Sequence, residues 1–340
     1  GRIRFAMKLV VQIPCHNEAE NLPATLADIP RTIDGISEVE ILVIDDGSDD
    51  DTAAVALAHG ADAVLRFRGR QGLARVFKAG LDAALRAGAD IIVNTDGDNQ
   101  YAGWDVPKLI RPILEGTADI VIGDRQTDGI EHFSKGKKLL QKMGSGLVRS
   151  LSSTDIPDAV SGFRAYSRDA ALQMNIVSSF SYTIETVIQA GTKRLTMQSV
   201  PVETNAKTRE SRLFSSIPGF IARQVNTLVR MYSMYKPLRV FFFLGTILMM
   251  SGLFPILRFL YFYFSGDGGG HIQSLILGGV LITLGFVTYL IALLADLIGF
   301  NRQLLELTLE KVRRLELEKF SVRPDGDCNG AKNACRGFGN

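Results

Sequence analysis

Leu9-Val10-Val11-Gln12-Ile13-Pro14-Cys15-His16-Asn17-Glu18 is the stretch on which the fold of this chain turns. Residues 9–13 read as a buried strand, and Pro14 to Glu18 read as a proline-fixed polar turn at its end. The pattern returns twice: residues 41–44 lead into Asp45-Asp46-Gly47-Ser48, and residues 91–93 lead into Asp96-Gly97-Asp98-Asn99-Gln100. All three acidic motifs therefore fall at carboxyl ends of strands, the edge where an open parallel sheet binds ligands. Carboxylates gathered there, with no cation beside them in sequence, repel one another unless a metal ion or a ligand balances them.

Working outward, helical stretches at residues 18–29, 50–59, 73–87 and 106–114 alternate with strands, including 64–67 and 119–122. This alternation predicts an α/β fold, a doubly wound and mostly parallel sheet. Residues 127–138 are polar, basic and Gly-rich, as expected of a mobile loop, and 139–151 read as a helix. Ser161-Gly162-Phe163-Arg164 and Val200-Pro201-Val202 read as late strands. Residues 214–235 read as an amphipathic helix leading to a membrane, with a core-packing helix as the alternative.

With 340 residues, 46% of them hydrophobic, the chain has room for one sizeable domain and an anchor. A net charge of +2, with no basic run interleaved with aromatics, argues against nucleic acid. Three cysteines give no disulfide framework, and four scattered histidines lack metal-ligand spacing, so oxygen is the expected metal donor. Residues 1–6 do not have the pattern of a signal peptide.

Residues 240–257 and 275–295 are each near the ~20 residues that cross a hydrocarbon core. The hairpin tip, 265–271, has no Lys or Arg, whereas the flanks carry Arg223, Arg230, Lys236, Arg239, Arg302, Lys311, Arg313 and Arg314. The positive-inside rule then places both flanks and the catalytic domain in the cytoplasm, on the inner face of a cell membrane, with the bilayer as a partner. Arg258 reads as an interfacial anchor and Asp296 as a structural residue near the interface. The expected organisation is a catalytic domain over 1–212, a juxtamembrane helix over 213–236, a hairpin over 237–300 with spans near 238–264 and 272–298, a helix over 301–320 and a disordered tail over 321–340. The leucines of 301–320 fit a membrane surface or a neighbouring subunit of a homo-oligomer.

Asp96 and Asp98, two apart in an extended turn, can point the same way and hold one Mg²⁺ or Mn²⁺, with Gln100 offering a third oxygen. Such an ion takes its remaining oxygens most readily from a diphosphate and neutralises charge on it as it departs. Turns and helix caps also produce Asp-x-Asp, so the weight comes from the company of the other motifs. Asp49, Asp50 and Asp51 are explained by a helix amino terminus. Asp46, at the strand end, is placed to accept from a nucleoside; Glu18 is either a helix-start residue or a ligand contact.

These motifs, with Asn21-Leu22, Gly72-Leu73, Gly123-Asp124-Arg125, Asp158 and Ser211-Arg212-Leu213, resemble the family 2 glycosyltransferases of the GT-A fold. Within them the likeness is to the polyprenyl-phosphate sugar transferases of the dolichol-phosphate mannose synthase type, over roughly residues 7–215. The resemblance implies a nucleotide-sugar donor surrounded by Pro14, His16, Glu18, Ile44, Asp46 and Gly97, and a metal on Asp96, Asp98 and Gln100. It implies further that Arg125 and Lys137 meet the phosphate of a polyprenyl acceptor, that Arg212 meets the donor diphosphate, and that Arg164 and Arg209 belong to the catalytic set. His16 stands where Tyr is frequent in that type, and Ala206 where some members carry Arg, with Lys207 and Arg209 as possible substitutes.

A lipid phosphate is already an anionic nucleophile, so the implied reaction needs no carboxylate base, and Asp158 is expected to orient a basic partner. A processive polysaccharide synthase is the nearest alternative, but the sole tryptophan is Trp104 and no Gln-x-x-Arg-Trp element is present. An inactive membrane scaffold is opposed by the intact Asp96, Asp98, Arg125 and Arg212. The donor (UDP-glucose, UDP-N-acetylhexosamine or GDP-mannose) is not legible.

Overall fold

The computed structural model describes residues 7–125, 156–177, 182–205, 230, 233–266 and 268–321. Lys137, Arg209 and Arg212, the predicted helix over 139–151, nearly all of that over 214–235 and the tail from 322 lie outside them.

Among the described residues seven strands make one sheet: β1 (Lys8–Cys15), β2 (Glu38–Asp45), β3 (Ala63–Arg66), β4 (Ile91–Asn94), β5 (Ile120–Asp124), β6 (Arg164–Ser167) and β7 (Met197–Pro201). Their order is β3-β2-β1-β4-β6-β5-β7. All neighbours pair parallel except β6, which runs antiparallel to both β4 and β5. The chain thus forms the mostly parallel sheet expected. Its order reverses between β1 and β4, the switch point at which such sheets open a crevice.

The helices are α1 (Leu22–Asp28), α2 (Thr52–Ala58), α3 (Leu73–Arg86), α4 (Val106–Leu114), α5 (Arg168–Gln173) and α6 (Tyr182–Thr192). α4 coincides with its predicted bounds. α1 starts four residues later than predicted, because Asn17 takes a left-handed conformation (φ 55°) and the Glu18 carbonyl accepts from Asn21 N and Leu22 N in a turn. Pro23 then opens the helix, where its missing N–H costs nothing. The late strand predicted to end at Arg164 begins there instead.

Strand alternation sends Leu9, Val11, Ile13 and Cys15 into a core with Leu22 and Leu26 of α1, Ala56 of α2, and Leu109 and Ile110 of α4. The other face packs on α3, so closely that a Cβ on Gly80 would lie 2.4 Å from Gln12 Oε1 and 2.9 Å from Ile44 Cδ1. Each fully buried Leu or Ile contributes about 1.5–3 kcal/mol.

The chain divides into two compact units, one of the residues before Ser216 together with those from Leu309 on, the other Ser216–Thr308. The second unit holds α7 (Pro237–Phe264) and most of α8 (Ile272–Ser321). Both are long and apolar enough to cross a membrane; the 28 residues of α7 span about 42 Å. The two helices meet through glycines at seven-residue spacing. A Cβ on Gly252 would lie 2.9 Å from Gly278 O, and one on Gly285 would lie 3.0 Å from Gly245 O. Thr246 Oγ1 and Tyr289 OH bond at 2.8 Å beside this seam. No helix break separates the second apolar run from the charged stretch after residue 300.

Candidate active site

The crevice is built from the turns that leave β1, β2 and β4. Pro14 pairs with Ile44, while the ladder between β1 and β4 ends two residues earlier at Gln12 opposite Asn94, so proline's missing donor interrupts nothing. Ile44 is fully buried and directs its side chain at α3, leaving only its backbone at the edge. His16 Nδ1 lies 3.0 Å from the carbonyl oxygen of Asp46. Asn17 N donates to Ser48 Oγ at 2.9 Å and Asp49 N donates back to Asn17 Oδ1 at 2.9 Å, stitching the first two turns together. Glu18 N donates to Thr52 Oγ1, and its carboxylate accepts from Asn21 Nδ2 at 3.0 Å.

The acids of the second turn are committed to the protein. Asp45 is fully buried, accepts Ser48 N at 2.9 Å and pairs with Arg66 Nε at 3.1 Å. Asp46 accepts Gln71 N at 2.6 Å on one oxygen and Gly72 N at 3.0 Å on the other, so it holds the loop that starts α3. That loop lies on Gly47, whose φ of +64° suits glycine and where a Cβ would strike Gly69 C at 2.6 Å. Asp50 accepts from Ala19 N and Thr52 N; against the cost of partial burial, its bonds from Thr52 and Ala19 hold its carboxyl below the usual range.

The third turn is built otherwise. Gly97 presses on β1, where a Cβ would come within 2.6 Å of Cys15 Sγ. Asp96 is half-buried against the bare backbone of Gly162, and no hydrogen-bond donor among the described residues reaches it. Burial, then repulsion from Asp98, push its pKa up to about 7, with Arg125 and Arg164 opposing. Asp98 is exposed, and its Oδ1 accepts Gln100 N at 3.1 Å. Among the described residues no third Asp, Glu, His or Cys completes a protein cage with these two. Two carboxylates with a neighbouring amide oxygen fit Mg²⁺ or Mn²⁺, ions that keep several oxygens from water and phosphate.

A strap runs along this turn. Ala102 N donates to Glu203 O, Thr204 bridges to Tyr101, and Asn205 N donates to Gln100 O at 3.0 Å. Asn205 Nδ2 adds bonds to Asn99 O and Oδ1 at 3.1 and 3.3 Å, so the loop is held without using either acid.

Arg125 forms a two-point pair with Asp158, Nε to Oδ2 at 2.7 Å and Nη2 to Oδ1 at 3.0 Å. Asp158 thus orients a basic partner, as expected; against the cost of burial, it holds the guanidinium firmly protonated. Arg164 requires a correction. It is fully buried, giving Nε to Ser161 O at 2.7 Å, Nη1 to Thr183 O at 2.8 Å and Thr186 Oγ1 at 2.6 Å, and Nη2 to Ala159 O at 2.7 Å. With its donors spent on three backbone carbonyls and the Thr186 hydroxyl, it clamps the approach to β6 onto α6 and does not reach a substrate.

Beneath Asp96 lies a polar layer that the sequence reading missed. Gln12 Nε2 donates to Asn94 Oδ1 at 2.9 Å, and Asn94 Nδ2 donates to Gly162 O at 2.8 Å and Tyr182 OH at 2.9 Å. Tyr182 stacks on Phe77 with centroids 3.8 Å apart, and Gly162 N donates to Tyr101 OH at 3.0 Å. Amides interrupting two otherwise apolar strands were the available signal.

Three comparisons bear on this arrangement. The family model described as Glycosyl transferase family 2 matches residues 10–173. The undecaprenyl-phosphate mannosyltransferase of Micrococcus luteus is 29% identical over 232 residues, covering 66% of this chain and 93% of that one. The polyprenol monophosphomannose synthase of Mycolicibacterium smegmatis is 31% identical over 192 residues, covering 54% of this chain and 71% of that one. Among solved structures, glucosyl-3-phosphoglycerate synthase from Mycobacterium tuberculosis in complex with Mn²⁺, UDP and glucosyl-3-phosphoglycerate shares the fold, with TM-score 0.51 at 22% identity over 66% of this chain and 78% of that one.

Proposed function

Since the chain belongs to glycosyl transferase family 2, we propose that it moves one hexose from a nucleotide sugar to a polyprenyl phosphate at a membrane surface. The observation that carries this reading is the uncommitted pair Asp96 and Asp98 beside the Asp158-held cation Arg125, in a chain that also has two membrane-length helices. Relatives named as transferring to undecaprenyl, polyprenol or dolichol phosphate support the acceptor, and three named for mannose make GDP-mannose the first donor to test.

In this reading Asp96, Asp98 and Gln100 hold Mg²⁺ or Mn²⁺, which supplies charge to balance the donor diphosphate. The turns of β1 and β2 present a rigid edge to the nucleoside, chiefly through backbone groups and His16. Arg125, kept charged and oriented by Asp158, meets the acceptor phosphate and offsets repulsion between two anionic substrates, orienting the acceptor oxygen for in-line attack at the anomeric carbon. In the same reading Lys137 acts with Arg125 on the acceptor phosphate and Arg212 acts on the donor diphosphate, both residues lying outside the described ones. The catalytic unit faces the cytoplasm.

The test is incubation of detergent-purified protein with Mn²⁺, undecaprenyl phosphate and GDP-mannose, UDP-glucose and UDP-N-acetylhexosamines in turn, with mass analysis of the lipid. The expected product carries a single added sugar from one donor. A ladder of additions, or no lipid product from any donor, contradicts the proposal.

A further inference from the structure

Two hydrogen-bond donors lie beside Asp96, and both are turned elsewhere. A Cβ on Gly162 would sit 3.0 Å from Asp96 Oδ2, 3.1 Å from Oδ1 and 3.2 Å from Tyr182 OH, so the carboxylate, the bare Gly162 backbone and the phenol border one small volume. The Gly162 nitrogen is two bonds, about 2.5 Å, from that point, which puts it within about 5.5 Å of Asp96 Oδ2. Yet Gly162 N donates to Tyr101 OH at 3.0 Å, and Tyr182 OH donates to Gly162 O at 3.5 Å while it accepts from Asn94 Nδ2 at 2.9 Å. Asn94 Nδ2 also holds Gly162 O at 2.8 Å, pinning the residue from its other side. Tyr101 is firmly placed for its part. It is 3% exposed, stacks on Phe163 with centroids 5.3 Å apart, bridges to Thr204 of the strap and has Arg125 over its ring at 6.0 Å. A backbone N–H beside a buried carboxylate is ordinarily used by it, as at Asp46, because a charge-assisted bond offsets the cost of burial. Each such bond engages an oxygen that a hard cation would otherwise take.

We propose that Tyr101 is a positioning residue of the cation site: its hydroxyl captures the Gly162 amide and so keeps Asp96 unspent for the metal. The inference rests on the cation site of the function proposed above. Tyr101 acts here through Gly162 and not on the ion. When the hydroxyl is removed, the orphaned N–H turns to an acceptor within reach, the Asp96 carboxylate, and competes there with the cation.

The test uses the full chain in detergent and follows Mn²⁺ binding by electron paramagnetic resonance at about pH 8.5. Tyr101→Phe keeps the ring and its packing, and its Kd for Mn²⁺ should rise roughly fivefold or more. An ester at the Ser161–Gly162 bond deletes the N–H itself. It should leave the affinity within about twofold when Tyr101 is present and restore it to within about twofold in Tyr101→Phe. Unchanged affinity in Tyr101→Phe, a loss that the ester does not repair, or a loss caused by the ester alone overturns the proposal. The Tyr101→Phe protein carrying the ester has no orphaned donor, so its affinity decides the matter even where Tyr101→Phe alone does not fold: wild-type affinity supports the capture and reduced affinity overturns it. The melting temperature of the metal-free protein needs no ion. With Asp96 present the freed amide finds a carboxylate, so Tyr101→Phe should cost roughly 2–6 °C less than it does in an Asp96→Ala background. Equal costs overturn the capture. Were the wild type to bind no Mn²⁺, the functional reading would fall while this comparison still decided the role of Tyr101.

Discussion

The ends of β2 and β4, on either side of β1, each carry two aspartates, yet they are opposite in construction. At the first, Asp45 has Ser48 N and Arg66, and Asp46 has the amides of Gln71 and Gly72. At the second, Asp96 has no donor among the described residues, and Asp98 faces solvent with one short turn bond. The first pair has its oxygens engaged by the protein; the second does not, and burial with repulsion from Asp98 raises the pKa of Asp96, which is what the proposed cation would relieve. Acid content alone does not separate a ligand site from a structural turn; the count of donors already engaged does.

The largest effect that would break this contrast is at Asp98. Asp98→Asn should lower metal-dependent transfer by roughly a hundredfold or more, since it removes an anionic ligand of the ion, and leave the unfolding midpoint almost unchanged. Rates at saturating Mn²⁺, set beside a denaturant melt, check both halves. Wild-type turnover in the presence of a chelator would place the ion elsewhere or nowhere.

Next is the scaffold itself. Arg164→Met should cost more than about 3 kcal/mol of stability, because Ser161 O, Thr183 O and Ala159 O lose their buried donor at once. Urea unfolding measures it; a stable variant with selectively poor donor or acceptor use would return Arg164 to the substrate. Asp46→Asn should cost about 1–3 kcal/mol, since one carbonyl cannot accept from two amides on opposite sides, and should leave Mn²⁺ affinity within about twofold. A selective loss of metal affinity would merge the two turns.

The smallest effect carries a sign. Asp96 has its folded pKa raised from the ordinary carboxylate value to about 7, so the metal-free protein binds a proton more tightly than its unfolded chain. Its contribution is therefore present at low pH and lost as pH rises toward about 7, the reverse of a salt-bridged acid. Asp96→Asn should flatten that part of the stability profile and raise the metal-free melting temperature above neutrality. A lower one would mean that the carboxylate is held by donors after all.

Much of this was legible in the sequence. Short apolar runs ending in acids located β1, β2 and β4 and placed the crevice at their carboxyl ends, because a parallel strand buried on both faces has few polar positions to confuse the pattern. The division of labour among the acids was not, since Asp46 finds its donors 25 and 26 residues downstream and no local pattern announces such a bond. Arg164 misled for a related reason. Its place in a motif shared with a catalytic family put it in the catalytic set until α6, nearly twenty residues on, is seen to close over it.

The central claim is that Asp96 and Asp98 form a cation site that proton and metal contest. It is tested most directly by Mn²⁺ binding to the nucleotide-free protein, monitored by electron paramagnetic resonance between about pH 5.5 and 8.5, on either side of the raised pKa. The account predicts an affinity that climbs about tenfold per pH unit up to about pH 7 and then levels, and that is lost in Asp96→Asn and Asp98→Asn but kept in Asp46→Asn. Affinity that ignores pH across this window, or that survives both substitutions, would contradict it.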